Sequence, residues 1–322
     1  MAHELTQRKD GFVEMAYVGD ACWHGLGQEL VQGASIEQWK VQAGMDWRIQ
    51  RSKVRYAVSR ESSSMFLEMP EQHVLFRSDN QEALGVVSSK YNVVQPGECL
   101  EFFRDIVGNN GFELHTAGTM FGGRRFWALA SIGENACVMG QDKIEGYLLL
   151  STSADGTLAT TAKFTTVRVV CNNTLSMALS AKDARDIKIS HRTSFNADAV
   201  KQELGIVRGA FGQFMNASKR LALTTVSRKD AQELTAALLT DSKTVSKADV
   251  TASGGYKTIL SLFDHGKGNH GETAWDWVNG VTEYVDHVQR AKTDSHRMAN
   301  SMFGKGDALK TMAFERALAI AE

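Results

Sequence analysis

Apolar and polar positions alternate with period two from Asp46 to Arg60, in DWRIQRSKVRYAVSR, where Val54, Tyr56 and Val58 fall on one face and Lys53, Arg55 and Ala57 on the other. That alternation predicts a strand with one wet, positive side. Two short apolar runs follow, Val74 to Phe76 and Leu84 to Val87, separated by Ser78, Asp79 and Asn80, and predict a hairpin. At Pro96 the period changes to that of a helix: Leu100, Phe103, Ile106 and Val107 share a face, and Gly108-Asn109-Asn110-Gly111 supplies a stop. FELHTAGTMF and RRFWALASIG then flank a Gly-Gly turn, and KIEGYLLLSTS and TLATTAKFTTVRVVC flank Asp155-Gly156, which together predict an antiparallel meander. Asn172-Asn173 has the chemistry to cap a helix running through Thr174, Leu175, Met177 and Leu179.

Beyond Ser190 the period is helical throughout. Val200, Leu204, Val207, Phe211, Phe214 and Leu221 keep one face over some six turns, and Ser227 with Asp230 predicts a second helix start by a capping box. Thr273 opens another helix, with Trp277, Val281, Tyr284, Val285 and Val288 as its apolar face and Asp276, Asn279, Glu283 and Asp286 or His287 as a polar stripe. Met302, Leu309, Met312 and Leu318 predict one or two closing helices. The expected architecture is α+β over residues 1–190, an antiparallel meander flanked by helices, followed by an all-α region over 191–322.

Composition narrows the class of protein. Of 322 residues 43% are hydrophobic and 23% charged, with only Pro70 and Pro96 as prolines, an ordinary globular mix. No run approaches the roughly 18 apolar residues that span a bilayer, and MAHELTQRKD lacks the apolar core of a secretion signal, so a soluble, intracellular protein is expected. Cys22, Cys99, Cys137 and Cys171 form no CxxC pair and read as reduced, mostly core thiols; Cys22 and His24 read as part of a packed turn near the N-terminus. The net charge is −1, yet successive segments carry −4 (1–39), +5 (40–60), −5 (61–109), 0 (110–181), +6 (182–229), −5 (230–289) and +2 (290–322). These blocks either pair with one another or bring their basic members together as an anion-binding surface.

No GxxxxGK[ST], no GxGxxG at a strand-to-helix junction and no GxSxG occurs, so nucleotide-driven chemistry and α/β-hydrolase chemistry have no motif and no cofactor is expected. Two constellations remain. Arg124, Arg125, Lys163 and Arg168 lie on predicted strands or turns of the meander with Phe126, Trp127 and Phe164 interleaved, so cations for phosphates and rings for bases occur together. Packed core rings and ordinary surface cations would give the same pattern. The second is Asp264, His265, His270, Asp276 and His287, residue types that ligate metals but without HExxH spacing; read as a site they imply a metal-dependent nuclease or hydrolase, with Asn269 beside His270. A third expectation is a host-protein interaction module anchored by Trp275 and Trp277.

Along nearly its full length the chain resembles a family carried by phages, prophages and plasmids and catalogued as a domain of unknown function. The segments that carry this resemblance are MAHEL with Trp23 to Gly27, Leu84 to Gln95, Val167 to Leu175, and Gly268 to His287. Over roughly 96–182 the order helix, meander, helix is also similar to the single-strand annealing proteins of the Rad, Erf and RecT kind. That second resemblance implies a non-enzymatic, homo-oligomeric protein of the bacterial cytoplasm that binds single-stranded DNA and promotes annealing or replication-linked recombination in company with host or phage replication or recombination proteins. The contacting cations would be Arg124, Arg125, Lys163 and Arg168, joined by Lys53 and Arg55 from the basic strand.

Overall fold

The computed structural model describes residues 5–19, 26–60, 63–110, 112–138, 142–168, 173–176, 187–196, 198–200, 210–243 and 246–322. The chain opens with strands β1 (Met15–Val18) and β2 (Gln28–Leu30), helix α1 (Ile36–Gln42), and strands β3 (Ile49–Arg60), β4 (Ser63–Arg77) and β5 (Ala83–Ser88). Helix α2 (Pro96–Asn110) leads into β6 (Glu113–Met120), β7 (Arg125–Val138), β8 (Asp142–Ser153) and β9 (Thr160–Arg168), the expected antiparallel meander. Two short strands, β10 (Asn173–Ser176) and β11 (Ile187–Ile189), share the outer edge of β9. The helices follow: α3 (Ala210–Leu223), α4 (Arg228–Lys243), α5 (Lys247–Ala252), α6 (Gly254–His265), α7 (Ala274–Glu283), a π-helical turn (Tyr284–Val288), α8 (Asp294–Phe303) and α9 (Lys305–Ile320). The fold is thus mixed α+β, with antiparallel strands toward the N-terminus and helices in the C-terminal region. Among the described residues no helix is long and apolar enough to cross a membrane.

The larger sheet has the order β10-β9-β8-β7-β6-β1-β2, in which only β1 and β2 run parallel. Its central strands are buried on both faces, which is why YLLLS reads as a continuous apolar run rather than a clean alternation. Period two still sorts the side chains. Ala128, Ala130, Leu148 and Leu150 face α1 and α2 with Trp39, Leu100 and Phe103, whereas Trp127, Leu129, Tyr147 and Leu149 face Met298, Met302 and Phe303 of α8. A third apolar cluster joins Val138 and Ile144 at the far ends of β7 and β8 to Phe214, Phe263, Trp277 and Phe314 of the helices.

Three expectations need correction. Asn173–Ser176 do not begin a helix: they pair antiparallel with Thr165–Arg168, because β9 offers an open edge whose hydrogen bonds outweigh a local cap. Residues 177–186, which would have carried the rest of that helix, lie outside the described residues, as do Cys22, His24, Cys171 and the 201–209 stretch of the long helix beginning at Val200. Helix α7 starts at Thr273 with the capping box to Asp276, but it is buried all round from Ala274 to Thr282, so its polar stripe does not face water. Asp276 is consumed by the cap, and Asp286 by an ion pair with buried Lys310 at 2.6 Å. Of the two described cysteines, Cys99 is core, with its thiol pushed up by burial, and Cys137 is exposed.

A buried ionic joint fixes the small sheet, β3-β4-β5, to the large one. Arg77 at the end of β4 donates from Nη1 and Nη2 to Glu14 Oε2 and Oε1 at 3.0 and 2.6 Å, and from Nε and Nη2 to Asp79 at 3.0 and 2.8 Å. Its remaining Nη1 hydrogen reaches the Gly122 carbonyl at 3.4 Å, and its flat face lies 4.1 Å from the Trp47 ring centre. Glu14 also accepts from Thr119 Oγ1 and from Arg8 Nε. Burial works against the charge on Arg77, but Asp79 and Glu14 outweigh it and hold the guanidinium above its ordinary pKa. The joint closes only around glycines: a Cβ on Gly44, whose φ is +64°, would stand 2.4 Å from Glu14 Cγ, and one on Gly123, at φ +91°, would stand 2.7 Å from the Trp47 ring.

Removing one partner strands the other charge in a dry site, so Arg77→Met or Glu14→Leu alone should cost about 3–5 kcal/mol, and the double variant less than the sum of the two. Urea unfolding at neutral pH measures this. A second clasp joins α1 to α2: Arg104 bridges Glu101 and Glu37 while Lys40 reaches Glu101 at 2.5 Å. Arg104, with Lys40 behind it, draws the Glu101 carboxyl down to about 2 from an ordinary 4.5. The folded pKa is depressed, so this contribution is complete above about pH 4.5 and is lost as pH falls toward 2. The acid limb of the stability profile should be flatter in Glu101→Gln over that window.

Candidate nucleic-acid interface

The expected basic strand lies in the most exposed part of the described structure. β5 pairs only with Gln72–Phe76 of β4, so beyond Gln72 the β3–β4 hairpin continues as a two-stranded ribbon, most of whose described side chains are exposed, with Val54 and Val58 half-buried. An irregularity between Lys53 and Arg55, where Pro70 and Glu71 (φ +59°) fall on the opposite strand, marks the start of the ribbon.

The two faces differ in chemistry. Pairing puts Lys53 opposite His73, Arg55 opposite Glu68 and Ala57 opposite Phe66, so one face carries cations followed by a ring that is 71% exposed. Lys53 Nζ and Arg55 Nη2 share the Glu68 carboxylate, at 2.6 and 3.1 Å, which leaves an excess positive charge. Lys53 first and Arg55 second lower the Glu68 pKa. All three groups are in water, where such pairs are weak and screened by salt, so both cations can exchange Glu68 for a phosphate. The other face carries Tyr56 opposite Leu67 and Val58 opposite Met65. Phe66 and its apolar neighbours escaped the sequence reading. The available signal was MFLEM mirroring VRYAV across ESS, two alternating runs whose long side chains have no buried face to fill.

The end of the β3–β4 pair away from the ribbon meets the turn that holds Arg124 and Arg125. Ile49 pairs with Arg77, which reaches Gly122, and the turn Phe121–Gly123 precedes Arg124 directly. Arg124 is exposed. Arg125 is half-buried, donating to Thr157 Oγ1 from Nε and Nη2 at 3.3 and 3.1 Å and lying 5.3 Å from the Phe121 ring centre. The Arg124–Arg125 turn therefore lies beside the base of the small sheet, at the Ile49–Arg77 end of the strands that carry Lys53 and Arg55 farther out.

Other expected site residues go elsewhere. Lys163 does not present its ammonium to an outer surface: it points to the α8 side of the sheet, donating to the Met302 carbonyl at 2.6 Å and to Asp307 at 2.8 Å. Phe126 and Trp127 are both core, since the meander is covered on both faces. Arg168 ends β9, its backbone pairing with Ile144 and Asn173; its side chain is outside the described residues.

The candidate metal ligands do not converge. Asp264 accepts from Arg228, His265 and His270 are exposed, Asp276 caps α7 through the Glu272 and Thr273 amides, and His287 sits in the π-helical turn, where its carbonyl accepts from Arg297. Asn269 is spent on the Leu262 and Asp276 carbonyls. Among the described residues no three His, Cys, Asp or Glu side chains are placed to hold a metal ion. Trp275 and Trp277 are likewise not surface anchors: both are buried, with Nε1 donating to Asp142 and to Thr235. In each case the helix start that looked like chemistry in the sequence is a packing and capping device.

Residues 83–303 match the model of a family described as a domain of unknown function, DUF932. The chain belongs to this family. The DUF932 match runs from the first residue of β5 to the last of α8, so it contains the meander and most of the helical layer and begins after the ribbon. No curated protein and no solved structure matches the chain.

Because Lys163 serves the sheet-to-helix contact, Lys163→Met should lower stability by about 1–3 kcal/mol while leaving oligonucleotide affinity unchanged. Thermal unfolding and fluorescence anisotropy on the same preparation separate the two effects.

Proposed function

We propose that this DUF932 chain is a non-enzymatic single-stranded-DNA-binding protein that promotes strand annealing or replication-linked recombination, serving phages or plasmids in the bacterial cytoplasm. The observation that carries the reading is the charged face of the ribbon, where Lys53 and Arg55 precede the exposed Phe66 ring. Cations in that arrangement neutralise successive phosphates, and an accessible ring stacks on a base irrespective of its identity. Arg124 is exposed beside the base of the strands that form the ribbon and would add a further phosphate contact. The strand β10 in place of a helix after the meander departs from the element order of annealing proteins, so the reading rests on the ribbon and not on that order.

The reading fits the charge arithmetic. A chain of net charge −1 has no long-range attraction for nucleic acid, so binding is local, engages few phosphates and depends moderately on salt. With two or three phosphates neutralised, the logarithm of the binding constant should fall with the logarithm of salt concentration with a slope of about −1.4 to −2.

Anisotropy of a fluorescent oligothymidylate should rise on titration with the full chain at low salt. Charge reversal at both Lys53→Glu and Arg55→Glu should weaken binding roughly tenfold or more, and Phe66→Ala should remove about 1–3 kcal/mol without changing the salt slope. No anisotropy change at low ionic strength with micromolar protein refutes the proposal.

A further inference from the structure

The second face of the ribbon has a different chemistry. Val54, Tyr56 and Val58 alternate along β3 and Met65, Leu67 and Met69 along β4, with Tyr56 paired to Leu67 and Val58 to Met65. Every one of these side chains is apolar or aromatic. At the root the band continues through Val74, paired with Ser52 and with Val86. Tyr56 is 49% exposed, Met65 46%, Leu67 36%, Met69 48% and Val86 58%. A two-stranded ribbon that turns such a face to water is marginal by itself, and soluble chains rarely leave a band of this kind uncovered.

We infer that this face packs against the same face of a second copy of the chain, forming a two-fold dimer. Three observations select that occupant. First, no charged side chain lies among the six ribbon residues of the band, so it offers nothing to a phosphate or to a charged peptide, whereas an identical face complements it under a two-fold axis. Second, extension by edge pairing is discouraged on both sides: Arg51, Lys53 and Arg55 line β3 with like charge, and Pro70 removes a donor from β4. Face-to-face contact is the geometry left. Third, the area suits a weak, reversible dimer. At the observed exposures the band presents about 450 Å² of apolar surface per copy, so two copies cover about 900 Å² from these side chains, the size of a weak, transient contact.

The dimer would bury the apolar faces and leave Lys53, Arg55 and Phe66 of both copies facing outward in opposite directions. Self-association therefore does not depend on the nucleic-acid reading, and either can fail without the other.

Sedimentation velocity on the nucleic-acid-free full chain, over low to high micromolar concentration, tests the inference. The wild type should sediment as a dimer. Tyr56→Ser with Leu67→Ser should raise the dissociation constant at least about tenfold while circular dichroism stays unchanged; Arg55→Glu, on the opposite face, should leave the dimer intact. Tyr56→Cys in a Cys137→Ser background supplies a second readout that does not require disrupting the fold, since oxidation should yield a disulfide-linked dimer that Cys137→Ser alone does not form. A wild type that is monomeric throughout overturns the inference, including one that instead binds neutral phosphatidylcholine vesicles through this face. A dimer that survives the Tyr56 and Leu67 substitutions and gives no Tyr56→Cys cross-link overturns it equally.

Discussion

The guanidinium of Arg77 is the constraint on which the placement of everything N-terminal depends. Its five N–H donors are all used, on Glu14, Asp79 and the Gly122 carbonyl, and one of its faces is closed by Trp47. Taking that charge out of water is expensive, and the ion pair repays the cost only because the fork of the guanidinium meets two carboxylates in a bidentate geometry that a lysine could not reproduce. The result is specificity of position. Glu14 belongs to the segment entering β1, Asp79 to the β4–β5 turn and Gly122 to the β6–β7 turn, so one side chain sets the small sheet, the large sheet and the Arg124–Arg125 turn relative to one another. The ribbon that extends from β3 and β4 takes its direction from this joint.

The large sheet solves a related problem at its other end. Buried on both faces, it needs helices on each side, and polar groups secure them. Lys163 on β9 holds Asp307 of α9 and the last turn of α8, and Trp275 at the start of α7 donates to Asp142 at the start of β8. Charges that a sequence reader assigns to ligands are thus spent inside the fold. The same accounting explains the histidine and aspartate crowding between 264 and 287: Asp264 holds Arg228, Asp276 caps α7 and Asp286 neutralises Lys310. Each of these three aspartates has an internal partner, and the cluster has no common centre.

The ribbon stands outside this accounting, and its two faces differ. One face holds Lys53 and Arg55, which among the described residues share the solvent-exposed Glu68; the other holds a band of exposed apolar side chains. The DUF932 match begins after this element, so the family match and the exposed ribbon of this chain occupy different stretches of sequence.

Many of the elements were legible in the sequence, although β1, β2, α1 and the outer half of β4 were not. Period-two alternation located β3, the Gly-Gly and Asp155-Gly156 turns located the meander, and Pro96, Ser227 and Thr273 marked helix starts, because backbone sterics and local hydrogen bonds act over a few residues and leave their mark in the spacing of side chains. Burial was not legible to the same degree. Nothing near Lys163 in sequence distinguishes it from Lys53, yet one is sealed under α8 and α9 and the other stands in water, and Glu14 meets Arg77 across 63 residues. Thr174 and Leu175 had a cap available and became a strand because β9 had an edge to fill. The sequence by itself determined which residues could form each element; only the tertiary structure decided which charges are consumed internally and which face outward, since that depends on contacts between segments whose separation along the chain carries no trace of their meeting.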